Sequence, residues 1–474
     1  MLPQHLDVVP QPMGEYEPVD RWQAHVNALF HALRGHQAQE YFQTFASSDY
    51  RLAHALAVDY FEHVRARAKK EGDDHNQKHA LVVHEWGCGH GNLAACFLGH
   101  LQDLDKAGDI YPRLTYVLVD MREEALSAAL AHPDLAPHHA RVQTLCGSVA
   151  NLATVPSGSV DRIICNELWT ELPTKLVAKN KGDIEEEQVR PNLSEARHAR
   201  VEDWSGFLRA FVQQDVAKLG PDSDFFDELI WEREYQKVDW KAVPYRKTIM
   251  EFLKVFEDEV LIPVNLGAFD TVKEALRIMA PDAIGYSSFD AGAATYEALS
   301  SPEKPCSGQI GGLYSVMVNF LLIEAVAKHL GAKDLRIESQ REFIGRNLRV
   351  NVMILTDILA SHPELGRLSK WQQDRLVVQT LQVLNQHYRS PYHRTMQFPL
   401  SPDMPESERL ALQDLLANLS QHGVPNTAAY LTEDEVMAAL PGLENLGYDR
   451  DAVLMALDAP PAGIDYVHWH CRSA

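Results

Sequence analysis

An α/β fold built around a parallel sheet is what this sequence predicts, on three observations. Short apolar runs alternate with helical patterns across residues 80–168. The first run, ALVVHEWG, leads into a glycine-rich turn, HEWGCGHGN (84–92). The second, LTYVLVD, ends on an acid, Asp120. Strands that alternate with helices are covered on both faces, so they read as continuous apolar runs rather than as alternating ones.

Residues 19–68 read as helices, because apolar positions recur at helical spacing in WQAHVNALFHAL and in RLAHALAVDYFEHVRARA. The charged KKEGDDHNQKH that follows reads as a loop. After the glycine turn, NLAACFLGHLQDL is helical in pattern, as is MREEALSAALAH after the second strand. RVQTLCGS and VDRIICNEL supply two further strands. The pattern breaks between Val177 and Leu261, where the acidic run DIEEE reads as a solvated face or loop. AIGYSSFDAG resumes the strand character, and YSVMVNFLLIEAVAKHLGA reads as a strand leading into a helix that stops at Gly331. Beyond Ser361 helices dominate, with a Pro-rich break from Phe398 to Pro405. In the last unit Thr432 and Glu435 form a capping box. That unit reads as a packing or dimerisation module, so a homodimer is one expected assembly.

The chain has 474 residues, enough for two or three domains with a substantial core, and a formal charge of −22. So acidic a field disfavours non-specific attachment to nucleic acid or to anionic membrane and suits basic partners. Six scattered cysteines form neither a secreted-type disulfide framework nor a repeated CxxC zinc pattern. His468, His470 and Cys471 cluster at the C-terminus, but without distant partners they do not build a closed coordination shell, and no metal is expected. The N-terminus lacks a basic, apolar or Arg-rich targeting pattern, and a soluble, cytoplasmic protein is expected.

The chemistry rests on four strand ends. In HEWGCGHGN, Gly87, Gly89 and Gly91 let a ligand approach the backbone closely. Dinucleotide enzymes use a related spacing, with pyrophosphate at the helix N-terminus. Glu85 precedes these glycines and would repel pyrophosphate, yet it suits the ammonium end of S-adenosylmethionine (SAM). Asp120, 29 residues beyond Gly91, is placed to accept the hydroxyls of a ribose, with Met121 beside it. Asp120 also reads, more plainly, as a helix cap. Gly147 and Ser148 end the third strand, where a hydroxyl or a backbone N–H would meet adenine. Asn166 and Glu167 end the fourth strand, where ligands of open α/β sheets bind. If the segment after them is helical, Glu171 lies one turn on, upon the face of Glu167. Two carboxylates there would hold a guanidinium through charge-assisted hydrogen bonds, although Glu171 reads equally as a surface charge. Methyl transfer from a sulfonium is an in-line displacement that depends on proximity and alignment, so Cys88 and Cys165 read as packing residues.

Taken together, these motifs resemble the MidA-like family of class I SAM-dependent methyltransferases, which includes the mitochondrial complex I assembly protein arginine methyltransferase. The resemblance spans residues 40–345. It rests on FQTFASSDYRLAHALA (42–57), HEWGCGHGN, CNELWTELP, FDAG (289–292), YSVMVNF (314–320) and SQREFI (339–344), in that order. It implies a Rossmann-like core, SAM as cofactor and an arginine of a protein partner as acceptor. By the same resemblance Glu85, Gly87, Gly89, Gly91 and Asp120 hold the cofactor, while Asn166 and Glu167 line the reaction centre. The chain departs from the family pattern at Ala46–Asp49, which lack a Pro-Glu pair, at Thr170 in place of an acid, and at Ala291 in place of an aromatic. These departures bear on the acceptor more than on the cofactor. A small-molecule or peptide natural-product acceptor, or a SAM-binding assembly factor without turnover, are the alternative readings. The expected organisation is an N-terminal helical region (1–75), a SAM-binding core (76–176), an insertion forming the acceptor cleft (177–262), the rest of the core (263–360) and a helical C-terminal extension (361–474).

Overall fold

The computed structural model describes residues 10–35, 44–71, 81–180, 182–257, 259–394, 398, 400–460 and 462–473. The 72–79 part of the charged loop, Phe42 and Gln43 of the first family motif, and Pro399 of the Pro-rich break lie outside these residues.

The principal sheet contains β1 (Leu81–Trp86), β2 (Leu114–Asp120), β3 (Val142–Cys146), β4 (Arg162–Asn166), β5 (Gly285–Ala293), β6 (Lys333–Ser339) and β7 (Ile464–Arg472). Their order across the sheet is β6-β7-β5-β4-β1-β2-β3. All adjacent pairs are parallel except those of β7, which runs antiparallel to both β5 and β6. All four strands expected between residues 80 and 168 are present. They start outward from β1 in both directions, so the chain reverses its winding there and leaves a crevice at the strand ends.

Helices cover both faces. On one lie α2 (Arg51–Glu71) and α3 (Asn92–Leu104), whose Leu52, Leu56, Tyr60, Phe97 and Leu101 pack on Val83, Tyr116, Leu118 and Ile164. On the other lie the helices Leu266–Ile278 and Phe320–His329, packed on Trp86, Val119, Ile163 and Tyr286. Buried apolar side chains on both faces account for the unbroken apolar runs of β1 and β4. The loop expected from Lys69 does not start there, because α2 continues through Glu71.

Residues 177–262, expected as an insertion, lie largely in regular structure. Strands Lys175–Asn180, Asp183–Leu193, Ile230–Lys237 and Val260–Val264 form a second, antiparallel sheet. The acidic run is therefore a correction: DIEEE opens its central strand rather than a solvated face. Glu186 and Glu187 are buried there, because Lys175 Nζ donates to Glu186 at 2.7 Å and the Tyr235 hydroxyl donates to Glu187 at 2.9 Å. Helix α1 (Val19–Arg34) packs across this sheet through Val19, Trp22, Val26 and Phe30.

Beyond Ser361 the described residues hold the helices Lys370–Leu384, Glu406–Ala417, Glu433–Asn445 and Arg450–Asp458, but the end of the stretch is a strand. Residues 464–472 return to the principal sheet as β7, inserted between β5 and β6. Phe343 and Ile344 of α5 (Gln340–Leu348, with α4 being Glu123–Leu130) pack on the same face as α2. The capping box at Thr432 is present, with Thr432 N–H donating to Glu435 at 2.8 Å. Among the described residues no helix is long and apolar enough to cross a membrane.

Candidate functional site

The carboxyl ends of β1, β2 and β4 bring the expected residues together. After Trp86 the backbone turns through Gly87 (φ 70°), Gly89 (φ 53°) and Gly91 (φ 83°) into α3. Gly87 and Cys88 donate backbone N–H groups to the Val119 carbonyl of β2, at 2.9 and 3.3 Å, which fixes the turn to its neighbour. A β-carbon at Gly91 would lie 2.9 Å from the Ala129 carbonyl of α4, so only glycine allows that packing. At Gly89 nothing lies within 4 Å of the same position. The space before Gly89 is open, as a cradle for ligand atoms must be.

Glu85 lies beneath the turn, 4% exposed, and accepts a hydrogen bond of 2.8 Å from the Tyr116 hydroxyl. Burial pushes its carboxyl up to about 8, against that hydrogen bond. Asp120 ends β2 and accepts from the Arg122 N–H at 3.0 Å, while its carbonyl accepts from Gly147 at 2.9 Å. Its carboxyl is raised by burial, partly offset by Arg122. Met121 is exposed (68%), and Ser148 is exposed at the end of β3.

Glu167 follows β4 with a left-handed backbone (φ 48°), a strained conformation for a glutamate. Its N–H donates to the Phe289 carbonyl at 2.7 Å, and its Oε1 accepts from Phe45 N–H at 3.1 Å and from Asn166 Nδ2 at 3.2 Å. Burial, then Asp290, push the Glu167 carboxyl up to about 8. Asn166 Oδ1 is buried with no protein partner, an acceptor that an incoming donor can satisfy.

Residues 169–171 form a turn rather than a helix, which corrects the expected placement of Glu171. Glu171 does not share a helical face with Glu167; instead its Oε2 lies 2.9 Å from His31 Nε2 of α1. The turn forms because Asp290 accepts the N–H groups of Trp169 (2.7 Å) and Thr170 (3.2 Å) on one carboxylate oxygen. Asp290 is fully buried and held up at about 7 by burial.

Sequence reasoning missed two parts of the site. Asp290 sits in the FDAG motif, which was the available signal. On α1, Gln23 donates to the Thr170 carbonyl at 2.8 Å and accepts from Thr174 N–H at 2.9 Å, and Asn27 donates to the Glu171 carbonyl at 3.2 Å. With His31 they form a polar stripe at a four-residue spacing, one helix face latched to the turn. Cys88 and Cys165 are buried with thiols pushed up by burial, Cys165 to about 12, so neither is a ready nucleophile.

Residues 55–241 match the model of a family described as "Putative S-adenosyl-L-methionine-dependent methyltransferase". The matched segment contains the glycine turn, Asp120 and Glu167. The family is described as SAM-dependent, and SAM is the cofactor expected from the sequence. The principal sheet and its two helical layers form a Rossmann-like core, the fold expected of a class I methyltransferase. No curated protein matches the chain. Among solved structures, a protein from Burkholderia thailandensis, solved in native form and bound to S-adenosyl-homocysteine, is 17% identical. The alignment covers 73% of this chain and 78% of that one, with a TM-score of 0.46. A SAM-dependent methyltransferase from Aquifex aeolicus is 10% identical, over 67% of this chain and 92% of that one, with a TM-score of 0.26.

The residues present fit SAM. The open cradle at Gly89, the orphaned Asn166 acceptor and a cluster of carboxyl groups (Glu85, Asp120, Glu167, Glu171, Asp290) suit a ligand with an ammonium, a sulfonium and a hydroxylated ribose.

Proposed function

We propose that this chain transfers the methyl group of SAM to an arginine side chain of a protein partner. The observation that carries this reading is Glu167: a carboxyl at a strand end, held by a left-handed backbone and two N–H donors, its proton affinity raised by burial and then by Asp290. Bound SAM supplies an electrophilic methyl on a sulfonium. The glycine turn and Glu85 hold its methionine end, Asp120 its ribose, and Met121, Gly147 and Ser148 flank its base. Asn166 and Glu167 orient the guanidinium and help to localise a lone pair on the reacting nitrogen. Glu167 then takes the proton which that nitrogen sheds, a role suited to a carboxyl near 8.

Glu171, turned toward His31, contributes negative charge at the rim rather than a second ligand to the same guanidinium. The second sheet and α1 form the wall past which an acceptor segment enters, and the net charge of −22 favours a basic one. Nothing in the reading requires nucleic acid or membrane.

The test is incubation of the chain and its co-purified partners with isotopically labelled SAM, followed by mass spectrometry. Label on a partner's arginine is the expected result. Glu167→Gln is expected to lower turnover by about a hundredfold or more while leaving SAM affinity nearly unchanged. Label on a metabolite would move the acceptor to a small molecule. SAM uptake with no label anywhere would make the chain an assembly factor. Unchanged turnover in Glu167→Gln would overturn the assignment of that residue.

A further inference from the structure

The His468–Cys471 tail has no place in the methyl-transfer reading, yet the structure gives it a defined setting. In β7 its residues alternate: Cys471 packs into the core on one face, while His468, His470 and Arg472 share the other. That second face lines a cavity of about 370 Å³ together with Arg162, at the start of β4, and Arg336 of β6. The cavity lies at the amino ends of the parallel strands, the edge of the sheet opposite the glycine turn.

We infer that this cavity is a second ligand site, which takes a small dianionic oxyanion of the phosphate class. Three guanidiniums line it against two carboxylates. Arg162 spends one N–H on Asp59 (3.1 Å) and Arg472 approaches Asp334 at 3.6 Å. Arg336 makes no ion pair among the described residues, so the lining keeps an excess of positive charge within a strongly acidic chain. Arg162 is 1% exposed and its Nε has no acceptor, an unsatisfied buried donor that an anion would complete.

The imidazoles are prearranged. Glu338 Oε1 lies 2.8 Å from His468 Nδ1, His468 Nε2 lies 2.8 Å from the Ser287 hydroxyl, and that hydroxyl lies 3.1 Å from His470 Nδ1. This chain occupies both nitrogens of His468 and one of His470, leaving His470 Nε2 for a ligand. Forked guanidiniums facing a polar cavity match the tetrahedral oxygens of a phosphate better than a point charge would. The site is independent of the methyl-transfer reading.

Calorimetric titration of the full chain with inorganic phosphate at fixed ionic strength tests it. The expected result is saturable, one-to-one uptake that sulfate competes for and chloride does not. Arg336→Glu and Arg472→Gln, both at accessible positions, are each expected to weaken it by about tenfold or more and to leave S-adenosyl-homocysteine uptake unchanged. A parallel titration with glycerol 3-phosphate separates the sources. Tighter uptake than of phosphate identifies a phosphate ester as the ligand; equal or weaker uptake identifies the free ion. No saturable uptake of either, or uptake indifferent to both substitutions, would make the cavity a hydrated structural void and overturn the proposal.

Discussion

Gly89 and Gly91 are two residues apart in one motif, and their surroundings separate what each is for. An alanine at Gly91 meets the Ala129 carbonyl at 2.9 Å with φ at 83°, so Gly91→Ala is expected to cost about 1–3 kcal/mol of stability. An alanine at Gly89 meets nothing within 4 Å and bears only the left-handed backbone cost, about 1 kcal/mol. Gly89→Ala should therefore stay folded by thermal denaturation and lose SAM uptake, whereas Gly91→Ala should lose stability as well. Equal losses of stability would show that the space before Gly89 is not a ligand cradle. Glu167 carries the complementary feature at the end of β4. Its strain persists because Phe289, Phe45 and Asn166 all bond it in place. The motif marked Glu167 in the sequence; its positive φ did not show there, because glutamate seldom adopts one.

At the scale of elements, α1 and the Thr170–Thr174 turn are joined by side-chain-to-backbone bonds. Asn27 alone accepts from Tyr314 N–H at 2.9 Å, donates to the Tyr314 carbonyl at 3.0 Å and donates to the Glu171 carbonyl at 3.2 Å. Asn27→Ala strands these groups in a buried setting and should cost about 2–3 kcal/mol, read as a lower denaturation midpoint with unchanged m-value. The helix itself was legible, since its apolar residues recur at 3.6-residue spacing. Its polar stripe was not, because Gln23, Asn27 and His31 look like a solvent face until a distant turn is laid against them. The same limit hid the strand at Asp183–Leu193, whose buried Glu186 and Glu187 depend on Lys175 and Tyr235. It also hid β7, which is separated by 170 residues from its partner β5 and carries histidines where an apolar run would have announced a core strand.

Across the whole molecule, buried ionisable groups set the response to pH. Glu85 and Glu167 are held at about 8 and Asp290 at about 7, chiefly by burial, against ordinary values of 4.5 and 3.8. These three groups thus bind more protons in the folded chain than in the unfolded one between their ordinary values and about pH 8, and the stability they contribute is lost as pH rises through that window. Buried His54, His84 and His90 are lowered to about 2, 4 and 4 from 6.5, mainly by burial, so they cost stability as pH falls below 6.5. The melting temperature is expected to peak near pH 6.5 and fall toward pH 8. Glu85→Gln, which keeps an acceptor for Tyr116, should flatten the alkaline side of that curve. A curve still rising between pH 6.5 and 8 would contradict the placement of these carboxyls in dry surroundings. In the proposed function the same acids, at the carboxyl ends of β1, β2 and β4, would favour the cationic groups of a ligand. Uptake should release protons, visible as a buffer-dependent heat.

The most direct measurement is calorimetric titration of the folded, purified chain with SAM and with S-adenosyl-homocysteine, beside the Gly89→Ala variant. Saturable uptake by the native chain, lost in the variant while its fold persists, is what the glycine cradle and Asp120 predict. Native chain that binds neither compound, or a variant that binds as well as the native chain, would contradict it.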